Sequence, residues 1–277
     1  MSARRKKSLS ERGIRLHLEQ VLANFTKSID DEEIKDIIRN KSIITGGCIA
    51  SMLLGEAIND YDIYFTDLES ALKITQYFVK RDLGDRSPPV SIKDITNIKG
   101  KDEQRVFCKM RSGMMRALHK DRKFSVRVLT SNAITLSDDV QLITRFAGSP
   151  DQIFENFDFV HCTNYYVSGT GEVVLRKEAL HSLLAKRLIY HGSLYPIASI
   201  MRVRKFLDRG WTISAGQIVK MSLQLPGMEI TKETLTEQLL GVDLWYMIQF
   251  LEKLDMKDGE AVDTAVISRL LDEVFDK

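Results

Sequence analysis

The stretch that most constrains this chain runs from Ile43 to Phe65 and reads IITGGCIASMLLGEAINDYDIYF. Ser42-Ile43-Ile44-Thr45 has the composition of a short buried strand, and it ends in Gly46-Gly47 followed by the helix-like CIASMLLG. Two glycines let backbone approach a ligand closely, and the first turn of the next helix presents unpaired N–H groups and a positive dipole end, which suits a phosphate. The segment Asp60-Tyr61-Asp62-Ile63-Tyr64-Phe65 then alternates as a strand does. Residues at i and i+2 of a strand leave on the same face, so Asp60 and Asp62 point together. Carboxylates held that way repel unless a cation lies between them, and Mg²⁺ is commonly shared between a few carboxylates and substrate phosphates.

Strand, Gly-Gly, helix and acidic strand in this order resemble the signature of the polymerase-β-like nucleotidyltransferase superfamily. The matching positions are Gly46, Gly47, Asp60 and Asp62. The resemblance implies nucleotidyl transfer with two metal ions. Asp60 and Asp62 would bridge Mg²⁺ (or Mn²⁺), and Gly46, Gly47 and Cys48 would hold the phosphates of an NTP, ATP foremost. It also implies a third carboxylate on a neighbouring strand. The inward position of Val140–Phe146 is Gln141, which leaves Asp158 as the substitute and Asp139 behind it.

A chain of 277 residues, 44% hydrophobic and 28% charged, can bury a substantial core and suits two domains. It has no apolar run near the roughly 20 residues that span a bilayer, and its Met-Ser-Ala-Arg-Arg-Lys-Lys start lacks the apolar centre of a signal peptide, so a cytoplasmic protein is expected. Cys48, Cys108 and Cys162 are widely spaced and read as free thiols. The adjacent His161-Cys162 pair faces opposite ways on a strand and does not read as a metal site. The net charge of +2 is unevenly spread, with ten bases against three acids from Lys99 to Arg127 and twelve acids against five bases from Glu229 to Lys277. Such asymmetry suits a polyanion-facing surface and a solvated far end.

In chain order, Arg4 to Lys7 form a basic arm, Ser8 or Ser10 caps a first helix, and Asp30 or Asp31 caps a second. Thr66-Asp67-Leu68-Glu69 has the capping-box pattern and predicts a helix from about Asp67 to Asp82. Gly84 and Ser87-Pro88-Pro89 end it. The basic region from there to about Ser125 has little period and is expected to hold a loop or short helix facing substrate phosphates. Strands are predicted at Phe124–Leu129 and Val140–Phe146, around a loop with Asp138-Asp139, and a helix at Ser149-Pro150-Asp151-Gln152. In Phe157-Asp158-Phe159 a strand would turn the carboxylate away from both rings. Ser168-Gly169-Thr170-Gly171 reads as a hairpin turn. Helices are predicted at Ser199–Leu207, ended by Gly210, then Ser214–Leu223, Thr231–Leu254 and Ala261–Phe275.

Thr-Arg-Phe at 144–146, a short helix, Asp158-Phe159 and a Gly-containing hairpin are similar to the head of the CCA-adding enzyme and bacterial poly(A) polymerase branch. That branch carries Arg-Arg-Asp-Phe-Thr where this chain has Asn156-Phe157 before Asp158-Phe159. The triphosphate contacts of those arginines do not carry over. Ser199 to Ile213 is similar to its neck helix, but the Glu-Asp-x-x-Arg element of CCA-adding enzymes has no copy, so a CCA-adding role is not supported. The expected fold is α+β. Residues 1–26 form a basic arm and N-terminal helix, 27–175 a nucleotidyltransferase head with a small mixed sheet flanked by helices, and 176–277 an all-helical neck and body. The expected acceptor is an RNA 3′ end, met by Lys109, Arg111, Arg116, Arg122 and Lys123 on the head and by Arg202, Arg204 and Lys205 at the neck. Nucleotidylation of a protein or small molecule, and a silent nucleotide- or RNA-binding relative, are the alternatives.

Overall fold

The structure, a computed structural model, describes residues 7–96, 100, 102–108, 114–116, 122–225 and the positions 235, 238, 253, 268, 269 and 273. The chain divides into two compact units, residues 1–184 and 185–277.

The first unit begins with helix α1 (Glu11–Thr26), where the Ser10 side chain accepts from the Gly13 N–H, and α2 (Glu32–Asn40), capped in the same way by Asp31. Then come β1 (Ser42–Thr45), α3 (Gly47–Leu54), β2 (Tyr61–Phe65) and α4 (Leu68–Leu83). The α4 cap is Asp67, whose carboxylate accepts from the Ser70 N–H at 2.7 Å. Six strands follow, β3 (Val90–Thr96), β4 (Asp102–Cys108), β5 (Met114–Arg116), β6 (Val126–Thr130), β7 (Ala133–Leu136) and β8 (Val140–Ala147). After them come α5 (Pro150–Phe154), β9 (Tyr165–Val167), β10 (Glu172–Val174) and α6 (Lys177–Ala185). At α5 the Ser149 and Gln152 side chains exchange hydrogen bonds with each other's backbone, the full capping box that its sequence predicts.

Eight of these strands make one sheet in the order β10-β9-β1-β2-β8-β7-β6-β5. Its neighbours are antiparallel except β2 and β8, which run parallel, so the unit is α+β around a mixed sheet. Strand alternation sends Ile44, Ile63, Phe65, Leu142 and Ile134 to one face. There they meet Ile14, Leu18 and Phe25 of α1, Ile34 and Ile38 of α2, and Ile74 and Phe78 of α4, all buried in one core. α1 is thus an integral part of the head's core. The other face carries a smaller cluster in which Ile43 and Tyr64 lie under Ile153 and Phe154, with Ile143, Phe146, Phe157 and Tyr165 around them.

Three local expectations are corrected. Beyond Ser87-Pro88-Pro89 the described part of this region holds strands, where a loop or short helix is expected from sequence. β3 and β4 form a hairpin in register from Val90↔Cys108 to Thr96↔Asp102, as a separate two-stranded sheet. Most of β3 is exposed on both faces, which removes the apolar alternation that reveals a strand. β7 fills the interval before Asp138-Asp139, and both of these residues take positive φ in the turn to β8. Asp158 lies at a bend and not on a strand, because the chain turns there into a 3-10 turn at Val160–Cys162.

A buried arginine joins the hairpin to the sheet. At an irregularity of β8 the Thr144 and Arg145 N–H groups both donate to the Asn132 carbonyl, and the Arg145 guanidinium meets Glu103 of β4 at 3.2 Å.

In the second unit a parallel pair, β11 (Arg187–Leu188) with β12 (Thr212–Ile213), accompanies α7 (Pro196–Leu207) and α8 (Ala215–Ser222). After α7 the chain turns at Gly210, whose φ of +77° is left-handed, and Trp211 folds back onto Phe206 with ring centroids 5.3 Å apart. The predicted helices Thr231–Leu254 and Ala261–Phe275 lie outside the described residues, isolated positions excepted. Among the described residues no helix is long and apolar enough to cross a membrane.

Candidate active site

Past the α5 cluster the second face of the sheet turns polar. Thr45 of β1, Asp62 of β2, Gln141 of β8 and Thr135 of β7 are register partners in turn, so their side chains leave one face as a row across four neighbouring strands. The Thr45 hydroxyl is used inside the fold, reaching the Cys162 and Asn164 carbonyls at 3.1 and 2.8 Å. The Gln141 amide donates to the Thr135 hydroxyl at 3.3 Å. Asp62 therefore stands between two neutral neighbours.

The Gly-Gly turn meets this row at Asp62. Gly46 has φ +87° and ψ −149°, a conformation reserved for glycine, and its N–H donates to the Cys162 carbonyl at 3.1 Å. A Cβ on Gly46 would stand 2.9 Å from Oδ2 of Asp62. The missing side chain is what admits the carboxylate to the turn. Gly47, the first residue of α3, is exposed and a Cβ there would meet nothing within 4 Å, so the space over the helix N-terminus is open. The Cys48 thiol is buried beneath it and donates to the Thr45 carbonyl at 3.4 Å. Burial, reinforced by Asp62 and Asp60, pushes that thiol well above the usual cysteine range, so only the Cys48 backbone N–H is left to serve an anion.

Asp60 is exposed just ahead of β2. The strand start is fastened from two sides, by the Tyr61 N–H donating to the Asp139 carbonyl at 2.7 Å and by the Tyr61 hydroxyl 2.7 Å from Nε2 of His17. Asp139 is thereby a backbone neighbour of the Asp60 end. Asp158 belongs to the segment whose far end, Cys162, receives the Gly46 N–H. His17, Thr45 and Thr135 are site neighbours that sequence reasoning missed. No local signal marks them, since each acquires its place only through strand register or a contact 44 residues away.

The residues present fit a divalent cation held jointly with phosphates. Asp60 and Asp62 offer hard oxygen donors, and the cradle that a Gly46 Cβ would fill places Asp62 at the phosphate end. Among the described residues no group of three His, Cys, Asp or Glu side chains is gathered.

The basic residues are dispersed. Lys109 and Arg111 lie outside the described residues, and Arg116 is placed only by its register with Val128. Arg122 is exposed and pairs with Asp30 at 3.6 Å, beside exposed Lys123. On α7 of the second unit Arg204 and Lys205 are exposed and Arg202 is half-buried.

A family profile described as Gabija anti-defense 2 family protein matches residues 16–186, more than half of the chain and nearly all of the first unit. The chain belongs to the Gabija anti-defense 2 family. A relative of that description from Bacillus phage SPbetaL7 is 24% identical over 253 residues, covering 90% of this chain and 53% of the relative. The chain thus spans about half the length of that Gabija anti-defense 2 protein. Among solved structures, a Thermotoga maritima CCA-adding enzyme complexed with tRNA is similar at a TM-score of 0.44 and 14% identity, over 92% of this chain and 51% of that one. A CCA-adding enzyme in complex with ATP is similar at 0.46 and 13%, over 97% and 54%.

Proposed function

We propose that the site binds a nucleoside triphosphate with Mg²⁺ or Mn²⁺, ATP foremost, and transfers its nucleotidyl group to an acceptor hydroxyl. The observation that carries this reading is the junction at Gly46, where the turn before a helix N-terminus abuts the Asp62 carboxylate with no side chain between. Backbone N–H groups of Gly47 and Cys48 would hold phosphate oxygens, and Asp60 and Asp62 would hold the cation. When bound, that cation supplies neutralisation of the triphosphate's charge. In the transfer the acceptor oxygen bonds to the α-phosphorus as the bridging bond to the β-phosphate breaks, releasing pyrophosphate.

The acceptor we propose is an RNA 3′ end. The exposed bases Arg122, Lys123, Arg204 and Lys205 support that choice, as does the sequence likeness of the head to the polymerase branch. Lys109, Arg111, Arg116 and Arg202 complete the proposed set, and Asp158, with Asp139 behind it, remains the proposed third carboxylate. The family's name connects a relative with countering the Gabija defence. Incubation with each labelled NTP, a divalent cation and RNA tests the reading. Label on RNA is the expected result. Label on protein would redirect it to a protein acceptor, and no label with no pyrophosphate release would overturn transfer.

A further inference from the structure

The polar row does not end at Thr45. Beyond β1 the next strand of the sheet is β9, where Tyr165 is the register partner of Thr45 and leaves the same face. Two strand spacings, about 10 Å, separate its backbone from that of Asp62, and the Gly46-Gly47 turn follows the strand between them. The half-buried Tyr165 ring rests against Phe154 of α5 with centroids 5.6 Å apart, and among the described residues its hydroxyl has no hydrogen-bond partner.

Arg176 stands on the same cluster. Its guanidinium lies over the Phe154 ring, 5.1 Å from the centroid. Its backbone is tied to the turn through Asn164, whose side-chain oxygen accepts from the Arg176 N–H at 2.9 Å while its carbonyl accepts from the Thr45 hydroxyl at 2.8 Å. Burial, Glu172 and Asp151 push the Tyr165 hydroxyl up and the Arg176 charge opposes them, which sets the two side chains near each other. Among the described residues Arg176 forms its ion pair with Asp151, at 2.9 Å, and that carboxylate is 86% exposed. Water already competes for such a pair, so phosphate oxygens can take its place.

We propose that Arg176 and the Tyr165 hydroxyl hold the terminal phosphate of the nucleotide and so select a triphosphate over a diphosphate. The inference rests on the nucleotide-binding reading above. A triphosphate joined to Asp62 through the cation and lying over the α3 N-terminus leads, one strand further on, to these two side chains. The planar guanidinium presents paired N–H donors that match a terminal phosphate, and the hydroxyl donates a further hydrogen bond. A diphosphate in the same place falls short of them.

The test compares α,β-methylene ATP with α,β-methylene ADP by isothermal titration in Mg²⁺, since neither analogue can be cleaved at the bond that transfer breaks. The unaltered chain should bind the triphosphate more tightly. Arg176→Gln, which keeps a stem over Phe154, should weaken the triphosphate about ten- to a hundredfold and the diphosphate hardly at all. Its melting temperature should stay nearly unchanged, because the lost ion pair is solvated. Tyr165→Phe should give a smaller loss, again confined to the triphosphate. Arg176→Lys, which keeps the charge without the fork, should retain part of the preference and makes the same comparison where Arg176→Gln lowers stability. Equal binding of both analogues by the unaltered chain, or equal weakening of both in Arg176→Gln, or a triphosphate affinity unchanged in Arg176→Gln, would overturn the inference while leaving nucleotide binding in place. Binding of neither analogue by the unaltered chain would instead overturn the reading beneath it.

Discussion

The two faces of the head's sheet are built from the same strands and do opposite things. On one, Val126, Leu142, Ile63, Ile44 and Tyr166 are buried in one cluster with residues of α1, α2 and α4. On the other, apolar residues gather only under α5, and the adjoining row of Thr45, Asp62, Gln141 and Thr135 is polar. A face needed only for stability would continue its apolar cluster, since each buried methylene contributes about 0.8 kcal/mol. Keeping a carboxylate there, against a glycine whose backbone conformation is strained for any other residue, costs stability and accords with the proposed binding role.

Neighbouring residues of β2 break or sharpen that contrast, because they point to opposite faces. The largest stability change should come from Ile63→Ala, which empties a fully buried position and should cost about 2–5 kcal/mol in urea unfolding. A smaller loss, about 1–3 kcal/mol, is expected for Gly46→Ala, which must hold φ +87° and push against Oδ2 of Asp62. Cation-dependent nucleotide affinity should fall with it. Gly47→Val should leave the melting temperature nearly unchanged, because its side chain enters open space, yet weaken nucleotide binding by filling the approach to α3. Equal loss of stability in both glycine variants would erase the distinction between them.

The smallest stability effect, within about 0.5 kcal/mol, should be that of Asp62→Asn. Thiol labelling extends the comparison to the interior. Burial pushes Cys108 up to about 11 and Cys48 higher than its usual range, while Cys162 is half-buried, so iodoacetamide near neutral pH should label Cys162 first and Cys48 only through opening of the fold. Since a raised thiol pKa is stability present below the ordinary cysteine value and lost above it, labelling of Cys48 should accelerate as pH climbs past that value. Rapid labelling of Cys48 at neutral pH would contradict its burial.

What was legible in the sequence was local. The Gly-Gly turn and the Asp60-Tyr61-Asp62 alternation announce themselves within a few residues, as do the caps Ser10, Asp31 and Ser149. The hairpin β3–β4 was not legible, because β3 is exposed over most of its length and carries no apolar alternation to pair with β4. β7 is only the four residues Ala133–Leu136 and borrows its order from β6 and β8. Phe157-Asp158-Phe159 resembles a strand, but the chain bends at Asp158. Phe157 joins the α5 cluster, while Phe159 is deeply buried and stacks beside His161. The neutral flanking of Asp62 was half legible. Gln141 could be named as the inward residue of its strand, whereas its hydrogen bond to Thr135 and the place of Thr45 required the register.

The central claim is that Asp62 and the Gly46-Gly47 turn form one nucleotide and cation site. Isothermal titration of ATP into the chain with Mg²⁺, with EDTA, and into Asp62→Asn with Mg²⁺ tests it most directly. The account predicts binding in the first case alone, with the variant's melting temperature unchanged. ATP binding of equal strength in all three would contradict it.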